Sequence, residues 1–215
     1  FIGGTNLRLA KGIDRFSEDL AFDCKGFSEE DFEEMTQKVL THLRRNGLGV
    51  ELKNRDNGRL KAFRSNLHFP GLLFEMGLSG HREERFLIKL ECQDQLLHYN
   101  VVHADIKGCG FYFPFPVPPD PVLCAMKTSA MLSRRKGRDF YDEMFLLAIT
   151  RPDFEFLNQK CGIATMKHLK KAVAVMLKET DLTMKCKDFE HLLFNKTSSD
   201  RILRFGDFFA SLPDV

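Results

Sequence analysis

Nowhere in this chain does a Cys-x-x-Cys pair occur, and its six cysteines (Cys24, Cys92, Cys109, Cys124, Cys161 and Cys186) do not alternate with histidine at zinc-binding intervals. A zinc-ribbon or thioredoxin-like reading is excluded, and reduced, mostly buried thiols in a cytoplasmic protein are expected. No apolar run approaches the roughly 18 residues of a membrane span, so no membrane partner is expected. No signal peptide is visible. An excess of charge is missing too: Lys+Arg 32 against Asp+Glu 30 leaves +2, too balanced for a general polyanion binder. His98 and His103 lie in a stretch without regular periodicity, and neither pairs with Cys or Asp at a ligand-like spacing.

What the chain does have is core material. At 215 residues, 43% apolar and with 21 phenylalanines, it can form one large domain or two small ones. It opens abruptly at Phe1, and an N-terminal element is expected to precede it. Phe1-Ile2 reads as the end of a strand, Gly3-Gly4 as a tight turn, and Thr5 to Lys11 as a short helix. Glycines ahead of a helix N-terminus let backbone N–H groups approach an anion such as a triphosphate, although the same pair also suits an ordinary turn. From Asp19 to Cys24 polar and apolar residues alternate, setting Leu20, Phe22 and Cys24 on a core face and Asp19, Ala21 and Asp23 on the other.

Further along, Ser28 with Asp31 forms a capping-box start to a helix whose stripe of Phe32, Met35, Val39 and Leu43 runs to Asn46-Gly47. Gly49 to Lys53 and Arg59 to Phe69, joined through Asn57-Gly58, predict a hairpin and hence a mixed sheet. Arg85 to Gln93 alternates so that Lys89 and Glu91 share one face, either as a solvated ion pair or as functional groups. Phe113 to Pro121 contains five of the eight prolines and reads as an extended connector. The domains are accordingly set at 1–120 and 121–215, the second a helical bundle. Its first helix, from Pro121, carries Lys127 and ends in Arg134-Arg135-Lys136; Gly137 breaks it, and Arg138-Asp139 opens the next. Further helices are predicted over 152–159, 163–178, 187–194 and 199–212. The basic residues Lys167, Lys170, Lys171 and Lys178 decorate the second of these, as a solvated surface or as an RNA contact.

Two carboxylates on one strand face beside a phosphate-binding turn suit phosphoryl or nucleotidyl transfer, which needs hard oxygen ligands for paired Mg²⁺ ions. Gly3-Gly4-Thr5, Arg15-x-Ser17-Glu18-Asp19-Leu20-x-Phe22, Ile88-Lys89-Leu90-Glu91, Ala125-Met126-Lys127 and Arg138-Asp139-Phe140-Tyr141-Asp142, in that order, resemble the AbiEii/AbiGii toxin family of nucleotidyltransferases. The resemblance spans about residues 1 to 150. It implies an α+β fold, an α/β-type minimal nucleotidyltransferase with a mixed sheet followed by a C-terminal helical bundle. It also implies an NTP substrate, Mg²⁺, an acceptor such as tRNA or another RNA, and a cognate antitoxin.

By matching motif, the resemblance gives Gly3, Gly4 and Thr5 to the triphosphate, Arg15, Ser17 and Lys89 to its surroundings, and Asp19 and Glu91 to the metal. It places Lys127 and Asp139 at the catalytic centre. The family pattern is Asp-x-Asp where this chain has Asp19-Leu20-Ala21, so a methyl group stands in place of one expected ligand. Asp23 shares the face but lies about 6.6 Å further along the strand, a poor substitute. The expectation is a nucleotidyltransferase toxin impaired by Ala21. A catalytically dead nucleotide- or partner-binding module and an antibiotic-type enzyme of the same fold are the alternatives.

Overall fold

A computed structural model describes residues 1–53, 62–108 and 110–214, which fall into two compact units: 1–5 with 18–96, and 6–17 with 97–214. The boundary expected at 120/121 lies inside the second unit, at the start of a helix.

In the first unit, helix α1 (Gly3–Lys11) begins, its residues from Asn6 onward counting with the second. Strand β1 (Leu20–Asp23) follows, then α2 (Glu29–Arg45), β2 (Glu51–Leu52), β3 (Phe63–Phe69), the single turn α3 (Leu72–Glu75) and β4 (Phe86–Gln93). The sheet order is β1-β4-β3-β2, with β1 parallel to β4 and the other pairs antiparallel, which is the mixed sheet expected. The predicted Asn57-Gly58 turn between β2 and β3 lies outside the described residues.

Helix α2 starts where its sequence says it should: the Ser28 hydroxyl accepts the Asp31 N–H, and the Asp31 carboxylate accepts the Ser28 N–H. Its Phe32 and Leu40 pack against Leu67, Phe69, Leu90 and Cys92 of β3 and β4, burying one face of the sheet. Period-two alternation then commits the other residues of those strands to the opposite, polar face. That consequence positions the site.

The second unit holds a two-stranded ribbon, β5 (Val102–Gly108) with β6 (Phe111–Val117), and helices α4 (Asp120–Arg134), α5 (Gly137–Leu147), α6 (Phe154–Cys161), α7 (Met166–Lys178), α8 (Leu182–Lys187) and α9 (Phe205–Ser211). Of the segment read as a connector, Phe113 to Val117 is therefore strand and only Pro118-Pro119 links it to α4, and His103 belongs to β5. Pro114 and Pro116 are two apart, so both missing N–H groups fall on the same edge of β6, away from β5. The helix predicted over 187–194 is instead a 3₁₀ turn at Glu190–Leu192, and 3₁₀ geometry also covers Lys196–Arg204 ahead of α9.

Another correction concerns the α4–α5 junction. Arg135, with φ +52°, takes the left-handed position that ends α4, and Gly137 is already the first residue of α5. Glycine is needed there for space: a Cβ on Gly137 would stand 2.2 Å from the Lys185 carbonyl oxygen. Leu123, Phe140, Leu146, Leu157, Leu169 and Phe205, all essentially inaccessible to solvent, anchor this unit's core.

Candidate functional site

The polar face of the first unit is organised in rungs across the strands. One rung aligns Ala21 of β1, Glu91 of β4 and Arg64 of β3. Arg64 grips Glu91 with two donors, Nε at 3.0 Å and Nη2 at 3.2 Å. The neighbouring rung pairs Lys89 with Asn66, and Lys89 Nζ lies 3.0 Å from Asp19 Oδ2. Both ion pairs are only partly buried. Asp23, one step beyond Ala21, accepts the Gln95 N–H through Oδ1 at 2.9 Å.

Helix α1 is fixed to the β1 edge of this face. The Ile2 N–H donates to the Ala21 carbonyl at 2.8 Å, and the Thr5 hydroxyl donates to the Asp19 carbonyl at 2.6 Å. Gly3 has φ +82°, and a Cβ there would come within 3.1 Å of the Ala21 Cβ. The glycine turn thus lies directly over position 21, and the N–H groups of Gly3 and Gly4 at the helix start have no intrahelical partner. A helix N-terminus at this edge, with Lys89 reaching across to Asp19, forms a surface suited to an anion.

A metal pair is a poorer match for these residues. Asp19 and Glu91 each already carry a cation, position 21 offers a methyl group, and Asp23 is engaged by a backbone N–H. Among the described residues no three His, Cys, Asp or Glu groups are arranged to hold a metal ion. The donor set does not fit the two-metal arrangement that the family resemblance implies.

The remaining motif residues lie in the second unit. Arg15 is buried and binds Asp142 with two donors, Nε to Oδ1 at 2.6 Å and Nη2 to Oδ2 at 2.7 Å, while Lys127 Nζ meets the same Oδ2 at 2.6 Å. Burial pushes the Asp142 carboxyl up, but Lys127 and Arg15 outweigh it and hold the group below the usual carboxylate range. Burial likewise lowers the Lys127 amine, with Asp142 opposing. Asp139, without solvent exposure, accepts Arg134 at 2.6–3.0 Å and the Lys136 N–H at 3.1 Å, closing the start of α5. Ser17 is half-buried in the same unit.

Next to this cluster Thr128 Oγ1 lies 2.5 Å from Glu143 Oε1 and 3.0 Å from the Cys124 carbonyl. A hydroxyl has one hydrogen for two acceptors. Both Thr128 contacts are satisfied when Glu143 is the protonated donor, in keeping with burial pushing its carboxyl up to about 8, while Glu143 Oε2 is buried without a hydrogen-bond partner among the described residues.

Sequence reasoning missed Arg64, Asp142 and Glu143 as site or core-network members. Arg64 follows from the antiparallel register once Glu91 is placed. Lys127–Asp142 and Thr128–Glu143 are both separated by fifteen residues, the offset of two helices joined by a tight turn.

A family model described as nucleotidyl transferase AbiEii toxin, type IV toxin–antitoxin system, matches residues 1–213. No functionally curated protein matches. Among solved structures, JHP933 from Helicobacter pylori is similar at 18% identity and TM-score 0.52, over 97% of this chain and 80% of that one. MenT4, a nucleotidyltransferase toxin from Mycobacterium tuberculosis H37Rv, is similar at 18% identity and TM-score 0.50, over 99% and 75%. Both likenesses concern the fold. Among the described residues no helix is long and apolar enough to cross a membrane.

Proposed function

Because the chain belongs to the AbiEii nucleotidyl transferase toxin family, we propose that its first unit binds an NTP on the polar sheet face and that transfer is impaired by Ala21. The observation that carries this reading is the approach of the Gly3 turn to Ala21, with Arg64 across the sheet on the same rung and Lys89 on the adjoining one. In this reading Gly3, Gly4 and Thr5 receive the phosphates at the α1 N-terminus, and Lys89 exchanges Asp19 for a phosphate oxygen. Asp19 and Glu91 are the carboxylates left for a Mg²⁺-dependent reaction, one short of what the chemistry needs. Arg15, Lys127 and Asp139 act as positioning residues through their pairings in the second unit. The acceptor is an RNA such as tRNA, the compartment is the cytoplasm, and an antitoxin is the expected partner of a type IV system.

The test is Ala21→Asp. With Mg²⁺ and each labelled NTP in turn, the variant is expected to label tRNA at least a hundredfold faster than the parent chain, equivalent to about 2.7 kcal/mol of transition-state stabilisation. Absence of transfer to tRNA, protein or small hydroxyl acceptors would sink the enzymatic reading of this site.

The ion pairs already present at Asp19 and Glu91 favour a second reading, a nucleotide-binding module without chemistry. Calorimetric titration with NTP separates the two: binding without turnover in Ala21→Asp supports the module, and restored turnover removes it.

A further inference from the structure

At the edge of the sheet opposite β1, a cavity of about 270 Å³ opens beside the end of β3 and the start of β4. Its cations are Lys53, Arg82 and Arg85, with His68 beside them. Lys53 is held in place through its backbone, its N–H donating to the Asn66 carbonyl at 3.0 Å and its carbonyl accepting Asn66 Nδ2 at 3.3 Å. Its amine meets Glu51 only at 3.4 Å. Arg82 and Arg85 are exposed and have no ion pair or hydrogen bond among the described residues. Two carboxylates, Glu83 and Glu84, also line the cavity, and Glu84 is engaged by the Ser79 hydroxyl. Gly71, with φ +69°, also lines it: a Cβ there would stand 3.4 Å from Glu75 Oε1 and 3.9 Å from both Cγ and Nε of Arg82.

Two guanidinium groups without ion-pair or hydrogen-bond partners among the described residues, lining an open cavity, suit an oxyanion, and a phosphate is one such group. The cavity is separate from the glycine turn. His68 is four residues along β3 from Arg64, about 13 Å, and β3 is two strand spacings from β1, about 10 Å. A triphosphate held at the α1 N-terminus does not span that distance. The two places are nevertheless joined by one polar face, since Arg64, Asn66 and His68 alternate onto the same side of β3. A ligand with phosphates at intervals along its length fits both the separation and the continuity.

We propose that this cavity binds a backbone phosphate of a single-stranded RNA acceptor, guiding the strand along the polar face toward the NTP. The inference rests on the nucleotidyltransferase reading above, but its readout is binding and does not require turnover. The experiment compares the parent chain with Arg82→Ala/Arg85→Ala, using a fluorescently labelled single-stranded RNA of mixed sequence and anisotropy across a salt series. The double variant is expected to bind about tenfold more weakly, with a slope of log affinity against log salt shallower by about 1.4, the value for two lost contacts to a single strand. Arg82→Lys/Arg85→Lys should keep most of the slope, because point charge is retained. Far-UV circular dichroism confirms that both variants are folded, and ATP titration should be unchanged in both.

Unchanged RNA affinity and slope in the alanine variant would overturn the proposal, as would absence of RNA binding by the parent chain at low salt. Loss of ATP binding with RNA binding intact would give the cavity to the nucleotide's own phosphates and overturn it equally. Failure of Ala21→Asp to transfer a nucleotide would count against the enzymatic reading alone and leave these binding results standing.

Discussion

The two units handle buried and exposed charge in opposite ways. On the sheet face two carboxylates each have one cation and each pair is open to solvent: Asp19 with Lys89, Glu91 with Arg64. In the helical unit one carboxylate, Asp142, serves two cations and water is excluded from all three. Exposed pairs contribute little to stability, so exchanging one partner for a ligand costs little. Buried pairs are different, because removing one member strands the others in a low-dielectric interior. Residues that a motif groups as equals therefore divide into those free to exchange partners and those committed to the fold.

The sharpest way to break the comparison is Asp142→Ala, which leaves Arg15 and Lys127 buried without a counterion. Urea denaturation should show a loss of about 3–5 kcal/mol. If the loss is no greater than for Lys89→Ala, the division between the units is wrong. Glu143 sharpens the same contrast through pH. Its folded pKa of about 8 is raised from the ordinary 4.5, so the folded chain retains a proton that the unfolded chain releases. The stability it contributes is full below pH 4.5 and is lost as pH rises toward 8, by about 1.4 kcal/mol per unit within that window. Glu143→Gln should flatten that part of the pH–stability curve; an unaltered slope would show that another group carries it.

Gly137→Ala should cost about 1–3 kcal/mol from the collision with the Lys185 carbonyl, measured by the same denaturation series. A neutral result would mean that α5 and α8 part easily. The smallest stability effect is expected for Lys89→Ala, within about 1 kcal/mol, accompanied by a roughly tenfold loss in NTP affinity by calorimetry, which corresponds to about 1.4 kcal/mol. Loss of stability without loss of affinity would reverse the assignment of that face.

Much of the first unit was legible because period-two alternation and a capping box act locally. Leu20, Phe22 and Cys92 point to the core, Ser28 caps α2, and the mixed sheet follows from the hairpin pattern. The ordered motifs identified the family. The pairings were not legible, because they depend on register between segments far apart in sequence. Arg64 reaches Glu91 across 27 positions and Arg15 reaches Asp142 across 127. The proline-rich strand was misread for a simpler reason: proline counts against a central strand, but a two-stranded ribbon has a free edge on which Pro114 and Pro116 forgo no hydrogen bond.

The same separation of 127 positions recurs in the bond from Tyr141 to Asp14, and it bears on the order in which the molecule is made. Lys127 and Asp142 are near neighbours in the chain and meet when the α4–α5 hairpin forms. Arg15 leaves the ribosome long before its counterion does. At about 5–20 residues per second it waits roughly 6–25 s, exposed and uncompensated, until α5 has emerged. Closure of the helical unit on its N-terminal segment is thus a late event in synthesis.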